Sequence, residues 1–209
     1  MPASRLVPIF ACFALAFALL AAPRSAVAET RPAIAVVGGF YDVLLATMKN
    51  GPALKFAGRV ERLTPALSAA FDLPTMTRIA AGAQWPAIKP EEQRQLVDSF
   101  SRFSVASYAA NFDGWSGERF EVLKESPAPG NGGGVIVETR LVPKSGDPVQ
   151  LNYLLRPSAG GPRIIDVFVN GTISELAARR SEFASVLAHD GAKGLHEMLE
   201  TRLKELATK

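Results

Sequence analysis

Cysteine is almost absent from this sequence: among 209 residues the only one is Cys12, in the apolar segment near the start. The rest of the chain therefore forms no disulfide and offers neither a thiol nucleophile nor a thiolate metal ligand. Histidine is also scarce. Only His189 and His196 are present, and no further ligand lies at a spacing that suits zinc. We expect no metal and no cofactor, and we interpret both histidines as surface residues near helix ends.

Several catalytic and nucleic-acid signatures are missing as well. There is no dense block of lysine and arginine and no interleaving of basic and aromatic residues, so we expect no nucleic-acid binding. No G-x-S-x-G nucleophile motif occurs. The glycine-rich segment 130–134 lacks the lysine and hydroxyl of a phosphate loop, which favours a hairpin tip. These absences argue against an enzyme.

The first 28 residues are predicted to be a cleaved secretory signal. Arg5 supplies the positive charge, and an apolar run follows from Val7 to Leu20. Ala26-Val27-Ala28 then forms a small-x-small cleavage site. The run is shorter than the about 20 apolar residues of a comfortable membrane-spanning helix. An uncleaved anchor helix is the alternative.

Cleavage would leave one domain, residues 29–209, starting at Glu29. Removal of Arg5 and Arg24 lowers the formal charge from +3 to +1. We expect no second apolar stretch of spanning length, and hence a soluble protein. Export without disulfides is compatible with the bacterial periplasm.

Helical periodicity dominates the segment from about Ile34 to Phe112. An apolar stripe at spacings of four and three predicts a first helix, which Pro65 should kink or break near Leu63. Asp72 is expected to cap a second helix that Gly82 ends, and Pro90 to open a third. The stripe of the first helix comprises Phe56, Val60, Leu63, Leu67 and Phe71.

Periodicity changes to two between Gly117 and Asn170, which predicts strands. Glycine and proline breakers separate the four strands by short loops, so the sheet should be an antiparallel meander. From the capping box at Thr172–Glu175 onward the pattern is helical again, with a break at Asp190-Gly191. The expected fold class is α+β: N-terminal helices, a four-stranded sheet with NTF2- or cystatin-like curvature, C-terminal helices, and an apolar pocket between the layers.

Two groups of short motifs carry a resemblance to a known family. The first comprises Phe71-Asp72-Leu73-Pro74-x-Met76, Gly82, Trp85, Glu92-Gln93-Arg94, Phe100 and Tyr108. The second comprises Asp166-Val167, Gly171-Thr172-Ile173-Ser174, Arg180-Ser181-Glu182-Phe183 and Gly191 to Leu195. In this order they resemble the MlaC (toluene-tolerance auxiliary) family of periplasmic phospholipid-binding proteins. The segment Gly171 to Phe183 is most similar to the hopanoid-associated HpnM subgroup.

The resemblance implies a periplasmic carrier that shuttles a lipid, a hopanoid or a phospholipid, between membrane complexes. The implied partners are an inner-membrane lipid transporter and an outer-membrane acceptor complex, and the carrier itself would be a monomer. Bound lipid would be its ligand, with no catalytic residue. The pocket residues we expect are Phe71, Met76, Phe100, Phe103, Tyr108, Val137, Leu151, Tyr153, Val167, Phe183 and Leu187.

Two other functions stay open at this point. A ligand-free adaptor that docks on a membrane transporter would have a filled core instead of a cavity. A small α+β enzyme would need an acid or base in the pocket, and only Asp166, within an apolar strand, is placed for that role. We favour a hydrogen-bonded structural carboxylate for Asp166. From sequence alone, either sheet face could meet the helices, and Val167 could lie on the other one.

Overall fold

A computed structural model describes residues 32–130 and 132–208. The predicted signal peptide lies outside the described residues. Helices come first, the strands follow, and a long helix closes the chain, as the periodicity indicated. The helices are α1 (Pro32–Lys49), α2 (Gly51–Ala70), α3 (Leu73–Ala81), α4 (Pro90–Asn111) and α5 (Glu175–Ala207), and the strands are β1 (Arg119–Pro127), β2 (Val135–Val142), β3 (Val149–Arg156), β4 (Arg163–Val169) and β5 (Ile173–Ser174).

The sheet is an antiparallel meander in the order β1-β2-β3-β4-β5. The α+β class and the antiparallel sheet are therefore confirmed, with one short strand more than the four expected. Asn170 and Gly171 have φ angles of 53° and 75°, and the amide of Thr172 donates to the carbonyl of Val169. Two consecutive positive φ angles are typical of the tight hairpin turn that suits sheet twist. This turn folds β5 back onto β4.

The helices pack on each other and on one face of the sheet. Helix α1 lies on β1 and β2 and beside α2, while α4 packs along α5 and α3 also contacts α5. A short 3-10 turn, Gly82–Ala87, joins α3 to the loop before α4. The buried apolar side chains form one core cluster between these layers. The interface between helices and sheet is therefore where an apolar ligand site would lie.

Helix α1 corrects the expectation that no second apolar stretch follows the signal. By length and composition alone, Pro32–Lys49 is long and apolar enough to cross a membrane. Seven of its residues, including Phe40, Tyr41 and Leu44, are buried inside the protein. Its apolar side chains are thus part of the core, because the helix packs over the sheet.

The break in α2 is not at Pro65. The backbone leaves the helical region at Lys55, with φ 54° and ψ −176°, and the helix continues through the proline. Pro65 and Glu61, whose carbonyl would otherwise receive the missing amide hydrogen bond, both face solvent. Leu63 and Leu67 are fully buried. The hydrogen bond that Pro65 cannot donate is therefore missing on the solvent-exposed side of α2, where water can solvate the free carbonyl. Packing of Leu63 and Leu67 on the buried side keeps the helix continuous.

The remaining helix ends are close to the sequence prediction. The Asp72 carboxylate accepts from the amide of Thr75 at 3.0 Å, and Gly82, with φ 62°, ends α3. Helix α5 begins two residues later than the predicted cap. Ser174, not Thr172, is the N-cap, because its hydroxyl accepts from the amide of Ala177. The expected break is found at Gly191, where φ is 66°.

Candidate functional site

The inner face of the sheet is the one that meets the helices, and it carries Val137, Thr139, Leu151 and Tyr153. Register places Tyr153 opposite both Val137 and Val167, so these three form one row across the sheet. The Tyr41 hydroxyl of α1 lies 2.6 Å from the Thr139 hydroxyl. This contact assigns the face: Leu151 and Tyr153 point to the helices, and Val167 shares their side.

An aromatic cluster fills the space between α1 and the inner face. The Phe40 ring meets the rings of Phe71 and Tyr108 edge to face, with centroids 5.2 and 5.3 Å apart. Tyr41 stacks on Phe120 at 4.4 Å and meets Tyr153 edge to face at 5.6 Å. These are favourable geometries for aromatic pairs. The cluster joins α1, α4, the α2–α3 junction and two strands into one apolar surface.

Backbone contacts set the place of Phe71 in this surface. The amide of Asp72 donates to the carbonyl of Ile164 at 2.8 Å, so the junction between α2 and α3 is attached to β4. The Arg163 guanidinium also donates to the carbonyl of Ser68. Phe71 is thereby held where its ring meets Tyr108 at 5.8 Å. Two of the residues predicted from sequence, Phe71 and Tyr108, are thus in direct contact.

Burial controls the chemistry of the tyrosines. Burial raises the pKa of Tyr41 to about 12, even though its hydrogen bond to Thr139 acts in the opposite direction. Burial is also the largest cause of the raised pKa of Tyr108 and of Tyr153. All three tyrosines of the chain lie in this cluster. Burial therefore favours the neutral form of all three hydroxyl groups.

The structure separates the eleven predicted pocket residues into two groups within one core. The sheet group comprises Phe71, Tyr108, Val137, Leu151, Tyr153 and Val167. The helical group comprises Met76, Phe100, Phe103, Phe183 and Leu187. In the helical group, Phe100 meets Phe183 edge to face at 6.0 Å, and the Arg179 guanidinium lies 4.9 Å from the centroid of the Phe103 ring. These contacts join α4 to α5, so this group lines the helix–helix interface.

Two residues of the site were missed by sequence reasoning. Phe40 and Tyr41 on α1 each lie against three other aromatic rings, as many as the predicted residue Tyr108 on α4. The signal that could have found them is the spacing of Val37, Phe40, Tyr41 and Leu44, which is helical. The apolar leader that precedes them in the sequence hides this stripe, since both segments are rich in apolar residues.

A cavity of about 450 Å³ opens where the β1–β2 and β3–β4 hairpins end, beside the first turn of α1. We call it the hairpin-end cavity. Its lining includes core residues Ala33 and Leu155 together with Glu125 and Arg156. None of the eleven predicted residues lines it. It is lined by Pro32, Ala33, Glu125, Gly133, Gly134, Val135, Leu155, Arg156, Pro157, Ser158, Gly161 and Pro162.

The two histidines and Asp166, the residues considered for metal binding or catalysis, all have hydrogen-bond partners in the structure. Within residues 32–130 and 132–208 no group of three or more metal-ligating side chains comes together. His189 contacts the carbonyl of Ser185, and His196 contacts the hydroxyl of Ser99. The Asp166 carboxylate accepts hydrogen bonds from Ser174 and from the amides of Val167 and Leu176. It therefore caps α5 and has a structural role.

Comparison with known proteins agrees with this geometry. The family described as "MlaC protein" matches residues 40–201. A solved structure of a phospholipid-binding protein from Ralstonia solanacearum, in complex with a phospholipid, is similar at 26% sequence identity and a TM-score of 0.73, covering 84% of this chain and 98% of that one. None of the curated proteins matches the chain.

Proposed function

The chain belongs to the MlaC family, and from this premise we propose that it is a lipid carrier which holds its ligand between the helices and the inner face of the sheet. The observation that carries the proposal is the continuous apolar surface from the hairpin-end cavity to Tyr153. Leu155 lines the cavity and belongs to the same buried core as Tyr153 and Val137. A lipid chain placed along this surface would meet no charged side chain of β2 or β3 on the inner face.

The similar Ralstonia protein supports the ligand class, since it is described as phospholipid-binding and covers 84% of this chain. Burial of each methylene group contributes about 0.8 kcal/mol, so one long acyl chain supplies up to ~10 kcal/mol without any charged contact. A volume of about 450 Å³ lies within the range of roughly 300–1,000 Å³ that is usual for ligand pockets. We propose that the lipid enters here, separating α1 from the sheet as it goes deeper.

The eleven residues predicted from sequence remain our proposed ligand contacts, with the sheet group as the first to meet an incoming chain. Phe40 and Tyr41 join the proposal because Tyr41 packs on Tyr153 of the inner face and Phe40 packs on Phe71 and Tyr108 of the sheet group. Residues of the helical group would be reached only if the ligand passes beyond the aromatic cluster.

Export and transport complete the proposal. We propose that residues 1–28 are removed and that the single domain 29–209 acts in the periplasm as a monomer. It would receive or deliver lipid at an inner-membrane transporter and an outer-membrane acceptor. A formal charge of +1 after cleavage suits this role, because strong electrostatic attraction to anionic membranes would slow release.

The lipid class is open between a phospholipid and a hopanoid. The HpnM-like segment Gly171 to Phe183 builds the β4–β5 turn and the start of α5. Most of this segment therefore has a structural role, so the subgroup resemblance supports a hopanoid only indirectly. The two classes differ in chemistry that an extract reveals directly, a phosphate diester or a polycyclic hydrocarbon.

Native mass spectrometry of the protein purified from its own periplasm, combined with organic extraction, tests the function. A co-purified phospholipid or polycyclic terpenoid at about one per chain is the expected result. The tight packing of Val137 and Tyr153, which are 0% and 1% exposed, favours the adaptor as second candidate. Protein that carries no lipid and takes up none from vesicles would support the adaptor and refute the carrier.

A further inference from the structure

A β-bulge in β1 brings a carboxylate onto the inner face of the sheet. Val122 is opposite Thr139, but the register then shifts, so that Lys124 is opposite Glu138 and Glu125 is opposite Val137. The extra residue is Leu123, which is exposed. Since side chains alternate along a strand, one inserted residue moves every later side chain to the other face. Without the inserted residue, the side chain of Lys124 would lie on the helix-facing side of the sheet. With it, the side chain of Glu125 lies there instead.

Glu125 therefore lies at the end of the row Val137, Tyr153 and Val167 on the helix-facing side. Lys124 forms an ion pair with Glu138 at 3.2 Å on the opposite face. Glu125 also lines the hairpin-end cavity, between the first turn of α1 and the end of β1. The carboxylate is thus placed where the proposed lipid site opens.

The Oε2 atom of Glu125 is shielded from solvent and has no hydrogen-bond partner among the residues that the structure describes. It is the only such side-chain nitrogen or oxygen among residues 32–130 and 132–208. Burying an acceptor without a donor is unfavourable, and more so for a charged group. The other shielded side-chain nitrogens and oxygens of the described residues have partners, so this unpaired oxygen beside a cavity is a candidate acceptor for a donor carried by a ligand.

We propose that Glu125 recognises the polar end of the bound lipid by accepting a hydrogen bond from an ammonium or a hydroxyl group. This inference rests on the proposed lipid-carrier function and specifies its ligand. An ionised carboxylate only accepts hydrogen bonds, so it favours head groups that present N–H or O–H donors. It repels a head group that ends in a bare phosphate. The lipid's polar end then lies at the hairpin-end cavity, and its apolar part extends toward Tyr153.

Competitive loading tests this directly. The mature protein, stripped of lipid, is incubated with vesicles that contain equal amounts of phosphatidylethanolamine, phosphatidylglycerol and phosphatidic acid, and the bound lipids are counted by native mass spectrometry. Wild type should take the first two, which carry an ammonium and hydroxyls, in preference to phosphatidic acid. In Glu125→Leu this preference should fall about ten- to a hundred-fold, since hydrogen bonds to charged groups carry most of it.

The variant Glu125→Gln distinguishes the two donors. Its amide oxygen still accepts a hydrogen bond but has no charge, so the preference for the ammonium lipid should fall more than the preference for the hydroxylated lipid. Glu138→Gln is the matched control: it removes the same charge from the neighbouring strand on the outer face and should leave the lipid ratios unchanged. Arg31→Gln, next to Pro32 in the sequence, controls for a cation supplied by the chain itself.

The outcomes separate this inference from the function on which it rests. Failure of wild type to load any lipid would refute the carrier. Normal loading with lipid ratios that are the same in wild type, Glu125→Leu and Glu125→Gln would overturn only the role of Glu125. If Arg31→Gln changed the lipid ratios as much as Glu125→Leu does, the role of Glu125 would also be overturned. That result would assign the carboxylate to an ion pair within the protein. Thermal melting supplies an independent readout: Glu125→Leu should be at least as stable as wild type, because it loses no internal bond at Oε2.

Discussion

The Asp166 carboxylate allows a structural role to be separated from a catalytic one by mutation. It accepts hydrogen bonds from the amide of Val167 at 2.8 Å, the hydroxyl of Ser174 at 2.6 Å and the amide of Leu176 at 3.1 Å. Ser174 in turn accepts from the amide of Ala177 at 2.9 Å. The two side chains together satisfy donors of the first turn of α5 that have no partner within the helix.

Replacing Asp166 with alanine removes all three bonds. Leu176 is buried, so its amide would be left without a partner, which costs about 1–3 kcal/mol. Weakening of the cap at Ser174 adds about 1 kcal/mol. We therefore expect Asp166→Ala to lower the free energy of unfolding by about 3 kcal/mol, which for a chain of this size lowers Tm by roughly 6–12 °C.

Asp166→Asn is the informative companion. Its amide oxygen can replace the atom that binds the amides of Val167 and Leu176, so mainly the charge is lost. The expected loss is about 1 kcal/mol, the difference between a charged and a neutral hydrogen bond. Asp72→Ala, which removes the single cap bond of α3, should cost about 1 kcal/mol and calibrates the assay.

Urea and thermal unfolding measure the stabilities, and organic extraction measures lipid per folded protein. All folded variants should carry lipid at the wild-type level, because Asp166 does not line the hairpin-end cavity. An Asp166→Ala protein as stable as wild type would refute the capping argument. A fully stable Asp166→Asn protein that no longer functions would instead support a catalytic carboxylate.

Three further predictions concern the ligand site, the tyrosines and export. Leu151→Arg should yield folded protein without lipid, since water can reach the charge once the lipid has left. Leu123→Arg, at an exposed position, should still bind lipid. If folded Leu151→Arg bound lipid at the wild-type level, the ligand site would have to lie elsewhere. Burial raises the pKa of Tyr41 to about 12, so its contribution to stability should be intact below about pH 10 and should fall as the pH rises toward 12. Tyrosinate absorbance should appear only in that interval. Tyrosinate absorbance near pH 10 in folded protein would contradict this expectation. Protein from the periplasm should begin at Glu29, and Edman sequencing that reads Met1 would refute cleavage.

Local signals determined a large part of the fold. The alternation in β2 and β3 predicted both strands and placed Leu151 and Tyr153 on one face. Asp72 and Gly82 marked the ends of α3 because a carboxylate cap and a positive φ are properties of one residue and its immediate neighbours. The short motifs were also sufficient to predict the family that the comparison shows. Such features depend on a few residues close in the chain, which is why sequence reasoning could find them.

Long-range packing decided what the local pattern could not. Pro65 stays within α2 because Leu63 and Leu67 are buried on its far side. The sheet face that carries Tyr153 is the inner one because Tyr41, more than a hundred residues earlier in the chain, packs against it. Glu125 turns inward because Leu123 is inserted opposite β2. A β-bulge depends on the strand that pairs with it, and the buried face of a strand depends on the helix that packs on it. Both partners are distant in the sequence, so the position of Glu125 at the cavity is determined by the tertiary structure alone.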